Sequence, residues 1–248
     1  MLLITFYFYI KTSLYIFFII DYKLSTDISS SASAYFYLFY TIYNTIQYNT
    51  IMSSENSGGY LELILGPMFS GKTSKLIEVY KQCMFCNISV AVINYAGDTR
   101  YSNTMLSTHD MKMIPCMRGS SIREIVAEER ACIDASDVIL INEGQFFTDI
   151  AEHVRHWVDA CGKRVYICGL DGDFERNAIG NLHELFPLCD KIEKLTSLCS
   201  NCKNGTRAIF SFRLTDEKEQ IVIGSSNYIP VCRKCYAKLS EEKNTRML

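Results

Sequence analysis

The first 51 residues contain no Gly, Pro, Cys, Trp, Arg, Glu, His or Val, while Ile (9), Tyr (9), Phe (6), Asn (2) and Lys (2) supply 28 of the 51. A segment without glycine or proline and drawn so heavily from so few residue types does not read as a folded domain. Residues 4–20 are apolar enough to suggest an anchor, but Lys11 stands in their middle, where a charge costs about 2.5–3.5 kcal/mol on insertion scales. A positive leading region and a small-residue cleavage site are missing too, which argues against a secretory signal. The segment reads as a disordered extension or as AT-rich upstream sequence carried into translation, with Met52 and the SSENSGG that follows it as an ordinary start. A membrane anchor or organelle address is the competing reading.

The chain also lacks a basic surplus: 25 Lys and Arg stand against 27 Asp and Glu, for a net charge of -2. Lys11, Lys23, Asp21 and Asp27 cancel, so that whole charge belongs to residues 52–248. A partner held by phosphate-backbone electrostatics is therefore not expected, and neither nucleic acid nor a membrane is assigned as a partner. What is present is 48% hydrophobic residues in 248, ample for a globular core. All eleven cysteines lie after Met52. Without a secretory signal they read as reduced thiols or a metal site in a cytoplasmic protein.

The apolar run LELIL at 61–65 has the length of a buried parallel strand and leads into Gly66, Pro67, Met68, Phe69, Ser70, Gly71, Lys72 and Thr73, followed by a helical pattern over 74–86. This is G-x-x-x-x-G-K-T between a strand and a helix. Its backbone N–H groups and the helix N-terminus would cradle phosphates, Lys72 would reach the β and γ phosphates of ATP, and the Thr73 hydroxyl would ligate Mg²⁺.

Further β-type runs occur at 90–95, 138–141 and 165–168. Between them, Ser121 and Glu124 form a capping box, and Ile150, Val154, Trp157, Val158 and Cys161 make one apolar helical face ended by Gly162. The alternation predicts an α/β fold, a parallel sheet with helices on both faces and ligands at the carboxyl ends of its strands. At those ends stand Asp98, Thr99 and Arg100, whose guanidinium could brace a transferring phosphoryl group, and Asn142, Glu143, Gly144 and Gln145. An acid is usual at the first of these last positions. Asn142 is a poorer Mg²⁺ ligand, so the ion must rely on Thr73, phosphates and water, leaving Glu143 as a base. His153 and His156 read as surface residues without chemistry.

Cys199 and Cys202, and then Cys232 and Cys235, form two C-x-x-C pairs 29 residues apart. Four thiolates on two knuckles select structural Zn²⁺ with no open position for catalysis; two disulfides are the alternative. Strand-like runs at 209–212 and 220–224 predict a zinc-pinned hairpin or extended loop between the pairs. Cys83 and Cys86 lie on a helix and read as buried apolar cysteines.

Residues 66–73, DTRYS at 98–102, EGQFF at 143–147, LDGDF at 170–174 and the paired C-x-x-C together resemble the type II thymidine kinases, of cytosolic and poxvirus type, from about Tyr60 to Tyr236. The resemblance implies a RecA-like P-loop domain over 52–196, a zinc-containing lasso over 197–238 and a tail over 239–248. It implies ATP-dependent 5′-phosphorylation of thymidine, with deoxyuridine a second candidate, feedback inhibition by thymidine triphosphate, and a homotetramer. Glu143 would accept the 5′-hydroxyl proton, Lys72 and Arg100 would clamp phosphate, and Phe174 would stack on thymine. Gln220, Ile221, Val222, Ile223, Gly224 and Tyr228 would belong to the lasso that closes over the base, excluding water from the γ-phosphate.

Three features depart from the family pattern: Asn142 where Asp is usual, Ile179 in place of an aromatic residue beside the nucleoside, and a lasso one residue shorter between Gly224 and Tyr228. Two other classes fit parts of the chain, a nucleic-acid-dependent ATPase with a zinc ribbon and a nucleotide-binding homologue with impaired catalysis. The extension has a direct test. A chain begun at Met52 is expected to match the full-length chain in solubility and in thymidine phosphorylation; lost activity on removal of residues 1–51 would show that the extension takes part in the fold.

Overall fold

The computed structural model describes residues 58–98, 105–108, 111–222, 224 and 226–246. The expectations for residues 1–51, Thr99, Arg100 and Ile223 lie outside the described residues. Along the chain run β1 (Tyr60–Leu65), α1 (Lys72–Phe85), β2 (Val90–Tyr95), β3 (Met105–Ser107), β4 (Met113–Pro115) and β5 (Met117–Gly119). They are followed by α2 (Ile122–Ala135), β6 (Val138–Asn142), α3 (Ile150–Arg155), β7 (Arg164–Gly169) and β8 (Lys191–Lys194). The remainder is β9 (Ser197–Leu198), β10 (Arg207–Ala208), β11 (Phe210–Arg213), β12 (Tyr228–Val231) and α4 (Arg233–Arg246).

Six strands form one parallel sheet in the order β5-β2-β6-β7-β1-β8. Alternate residues of its strands face opposite cores, as a period of two requires. Leu61, Leu63, Ile93, Ile139, Ile141 and Ile167 meet Ile122, Ile125 and Ile133 of α2 and Ile150, Val154 and Trp157 from the α3 region. On the other face Ile64, Val92, Leu140 and Tyr166 meet Leu76, Ile77 and Cys83 of α1. Central strands buried on both faces explain the unbroken apolar runs in the sequence. A third cluster, around Cys199, Ala208, Phe212, Val231 and Tyr236, is separate from both.

Four local expectations are corrected. The face ending at Cys161 stops at Val158, because α3 passes into a π turn (His156–Ala160); the wider turn rotates Cys161 to the surface, where its Sγ lies 3.4 Å from His156 Nε2. His153 is half-buried rather than a surface residue, packed at 5.8 Å on the Trp157 ring. Cys83 is buried but Cys86, on the turn after α1, is only half-buried. Of residues 220–224 the described ones, 220–222 and 224, are not strand: β11 pairs instead with β12, from Phe210↔Val231 to Arg213↔Tyr228, and the described residues between these two strands form a loop. The capping box is present in shifted form, with Glu124 N donating to Ser121 Oγ at 3.1 Å while the Glu124 carboxylate accepts from Ser120 N and Oγ, each at 2.7 Å. Those bonds, the hydroxyl's first, hold the Glu124 carboxyl below its ordinary range. Among the described residues no helix is long and apolar enough to cross a membrane.

Candidate active site

Because the strands are parallel, the segments leaving β1, β2, β6 and β7 emerge on the same side of the sheet, and they line one cleft of about 320 Å³. Its walls include Met68, Phe69, Ser70, Gly71, Lys72 and Thr73 after β1, Asp98 after β2, Glu143 after β6, and Phe174 after β7. Gln220, Ile221, Val222, Gly224 and Tyr228 close it from the 214–227 loop and β12, and Ile179 adds an apolar side chain. Gly66, Pro67, Asn142, Gly144 and Gln145 lie behind this surface, not on it.

The 66–73 loop wraps tightly. Gly66 has φ 148, and a Cβ there would meet Leu195 O at 2.5 Å, so only glycine fits. Lys72 is buried and its Nζ donates to Pro67 O at 2.7 Å, which folds the side chain back over the loop. Ser70 Oγ is buried and has no partner among the described residues. An orphaned hydroxyl beside a lysine and a helix N-terminus is what an anionic phosphate would satisfy.

Asn142 ends β6 buried between three neighbours. Its Oδ1 accepts from Thr73 Oγ1 at 3.2 Å and from Cys168 Sγ at 2.9 Å, and its Nδ2 donates to Asn94 Oδ1 at 2.8 Å. The amide is suited to this place because it both accepts and donates, whereas an ionised carboxylate only accepts. Thr73, on the cleft wall, and Asn142, behind it, thus bring two neutral oxygens 3.2 Å apart. As neutral donors they fit Mg²⁺ only with phosphate and water completing its shell.

Glu143 follows at φ 55 in the left-handed region, a conformation that costs a non-glycine residue about 1–3 kcal/mol and turns the chain sharply out of the strand. Gln145 holds the result: its Nε2 donates to Glu143 Oε2 at 2.7 Å while its Oε1 accepts from Leu170 N at 3.0 Å. Gly180 packs on Gln145 from behind, with φ 58 and room for no Cβ, which would lie 1.9 Å from Gln145 O. Asp98 contributes through its backbone, with Arg118 Nη2 donating to Asp98 O at 2.6 Å and to Ala96 O at 2.7 Å.

The far wall depends on residues that the motif reading missed. Ser211 Oγ accepts from Met68 N at 2.9 Å, tying the phosphate loop to β11. Asp173 Oδ1 accepts from the backbone N–H groups of Glu175 and Asn177, and its Oδ2 accepts from Gln220 Nε2 at 2.9 Å, so the 170s loop and the 214–227 loop share one carboxylate. Arg213 is buried beneath Phe174. The signal available in the sequence was the alternation of FSFR at 210–213, which puts Phe210 and Phe212 in the third cluster and Ser211 and Arg213 on the opposite side of β11.

Cys199, Cys202, Cys232 and Cys235 bring their sulfurs within 4.8 Å of one another, and all eleven cysteines are free thiols. Sulfurs around a tetrahedral Zn²⁺ at about 2.3 Å lie about 3.8 Å apart, so the set is compatible with the ion. Burial works against a Cys199 thiolate, yet the backbone N–H groups of Cys202, Cys232 and Asn201 outweigh it and bring the thiol down to about 6. Cys202 is pushed up to about 12 by its hydrogen bonds to Cys235 and Cys232. A cluster of four thiols in which one is already poised to ionise is suited to a cation.

Comparison with known proteins agrees with this arrangement. The family profile described as thymidine kinase matches residues 59–236. The chain is 38% identical over 187 residues to the cytosolic thymidine kinase of Bos taurus, covering 75% of each chain. It is 40% identical over 183 residues to the thymidine kinase of Yaba monkey tumor virus, covering 73% of this chain and 97% of the viral one. The cytosolic thymidine kinase of Homo sapiens is 38% identical over 187 residues, 75% of this chain and 76% of the human one. A profile spanning both the phosphate loop and the cysteine cluster, with relatives matched over most of their own length, settles the family: the chain belongs to the thymidine kinases.

Proposed function

We propose that the protein transfers the γ-phosphoryl group of ATP to the 5′-hydroxyl of thymidine, with deoxyuridine a further candidate acceptor. The observation that carries this reading is the one cleft in which a phosphate loop, the Glu143 carboxylate held by Gln145 and an aromatic ring beside a closing loop converge. Residues 68–73 with Lys72 hold the triphosphate. Phe174 supplies the ring on which the base stacks, and the 220–224 backbone borders the base. Glu143 takes the proton from the 5′-hydroxyl as that oxygen attacks the γ-phosphorus; the bond from γ-phosphorus to the β,γ-bridging oxygen breaks, and ADP leaves. Gln145 keeps the Glu143 carboxylate aimed, and the 214–227 loop shields the reacting atoms from water. Mg²⁺ bound with ATP would neutralise developing charge, held near Thr73 and Asn142.

Residues 52–196 form the kinase domain in this reading and 197–238 a lasso clamped by Zn²⁺ on the four cysteines. Separation of the third apolar cluster from the two sheet cores supports that division. Cytosolic relatives support a cytoplasmic location. A homotetramer inhibited by thymidine triphosphate is the family expectation for this chain.

Turnover of labelled ATP with thymidine tests the reaction, with thymidine monophosphate as the expected product; DNA-stimulated hydrolysis alone, or no product, would overturn it. Glu143→Gln is expected to lower turnover by about 10²–10⁴-fold with nucleoside affinity nearly unchanged. Equal activity would mean that another group takes the proton.

Asn142→Asp places a hard anion beside Thr73 and is expected to lower the Mg²⁺ concentration for half-maximal rate. It also replaces the donor to Asn94, a loss of about 1–3 kcal/mol in stability unless Asn94 turns its amide over. Titrating Mg²⁺ against rate, with thermal melting alongside, measures both; superimposable Mg²⁺ curves would remove residue 142 from the metal's surroundings.

For the cysteine cluster, metal analysis of the intact protein is expected to find one zinc per chain, lost in Cys202→Ser or Cys235→Ser. Nucleoside binding should suffer more than ATP binding, since the lasso itself carries Gln220, Ile221, Val222 and Gly224 and meets the phosphate loop through the Ser211–Met68 hydrogen bond. Intact protein without zinc would refute the site.

A further inference from the structure

We infer that Arg213 is the positioning residue that sets the shape of the nucleoside-closing loop, so that thymidine affinity depends on its guanidinium although no base need touch it. This rests on the assignment of Phe174 and residues 220–224 to the nucleoside site.

Arg213 is 1% exposed, the largest fully buried side chain among the described residues. A buried guanidinium must place all five N–H groups, and this one does. Nε donates to Tyr228 Oη at 3.0 Å; Nη1 donates to Glu217 O at 2.9 Å and to Glu219 O at 2.5 Å; Nη2 donates to Gln220 O at 3.1 Å and to Tyr228 Oη at 2.5 Å. The Tyr228 hydroxyl passes the constraint on, donating to Val222 O at 3.2 Å. The carbonyls of 217, 219, 220 and 222 are thereby fixed from one centre. Gln220 O and Val222 O are thereby taken up, by the guanidinium and by the Tyr228 hydroxyl, and not offered to a strand partner.

The same guanidinium lies against the ring of Phe174, its Cζ 3.7 Å from the ring centroid. At that distance the cation covers one face of the ring and holds it at a fixed height, leaving the other for a stacked base. Arg213 therefore positions both partners of the base, the ring beneath it and the backbone around it. Asp173 reinforces the link from the other side by accepting from Gln220 Nε2.

Lysine keeps the charge but not the fork: three donors on one nitrogen cannot span carbonyls on two sides and lie flat on a ring. Steady-state kinetics of full-length, zinc-loaded Arg213→Lys should show a thymidine KM raised by about 10- to 100-fold, with the KM for ATP unchanged and kcat at saturating thymidine within about threefold. A general loss of structure would instead disturb both substrates. Unchanged thymidine KM, or equal rises for thymidine and ATP, would overturn the proposal. Phe174→Ala, measured in parallel, separates the two ideas: a raised thymidine KM there with none in Arg213→Lys condemns the Arg213 role alone, whereas no change in either condemns the nucleoside site itself and the proposal with it. If Arg213→Lys does not fold, Tyr228→Phe, which removes the oxygen that takes two of the five donors, must raise thymidine KM selectively; an unchanged value overturns the proposal equally.

Discussion

The phosphate loop, Asp98, Glu143 and Phe174 are delivered to the cleft by parallel pairing of β1 with β7, of β7 with β6, and of β6 with β2. Parallel strands end on the same side, so residues 25 and 69 positions apart in the chain arrive within hydrogen-bonding reach of one another. Thr73 meets Asn142 because β1 and β6 share β7 as neighbour, and Gln145 meets Leu170 because β6 lies directly beside β7. A single antiparallel strand among these would send its loop to the wrong end of the sheet.

On that frame the polar groups at and behind the cleft wall are held by polar contacts rather than by apolar packing. Asn142 satisfies a hydroxyl, a thiol and an amide at once, and a buried group so connected is more costly to change than to keep. Glu143 occupies a strained backbone conformation that persists because Gln145, and Gly180 behind it, leave it no relaxed alternative. Across the cleft Ser211, Asp173 and Arg213 join the phosphate loop, the 170s loop and the cysteine-clamped hairpin. Changes at the cysteines can thus reach the cleft through β11 without passing through the sheet.

The sequence by itself determined the parallel core, the phosphate loop, the base candidate and the cysteine set. Each is local: an apolar run, a motif of eight residues, a strand tip, or two knuckles whose spacing is dictated by the chemistry of the ion. Tertiary structure decided the rest. The run at 220–224 has the composition of a strand, but β12 takes the β11 ladder, and Arg213, 7 residues before Gln220, takes the Gln220 carbonyl. Cys161 has the right spacing for an apolar face and lost it to one π turn. Ser211 and Arg213 carry no motif, and Asp173 stands in LDGDF without a role that the motif shows, because their importance lies in partners elsewhere in the chain: strand alternation says which side of β11 Arg213 faces, and only the fold says that Phe174 and Tyr228 are waiting there.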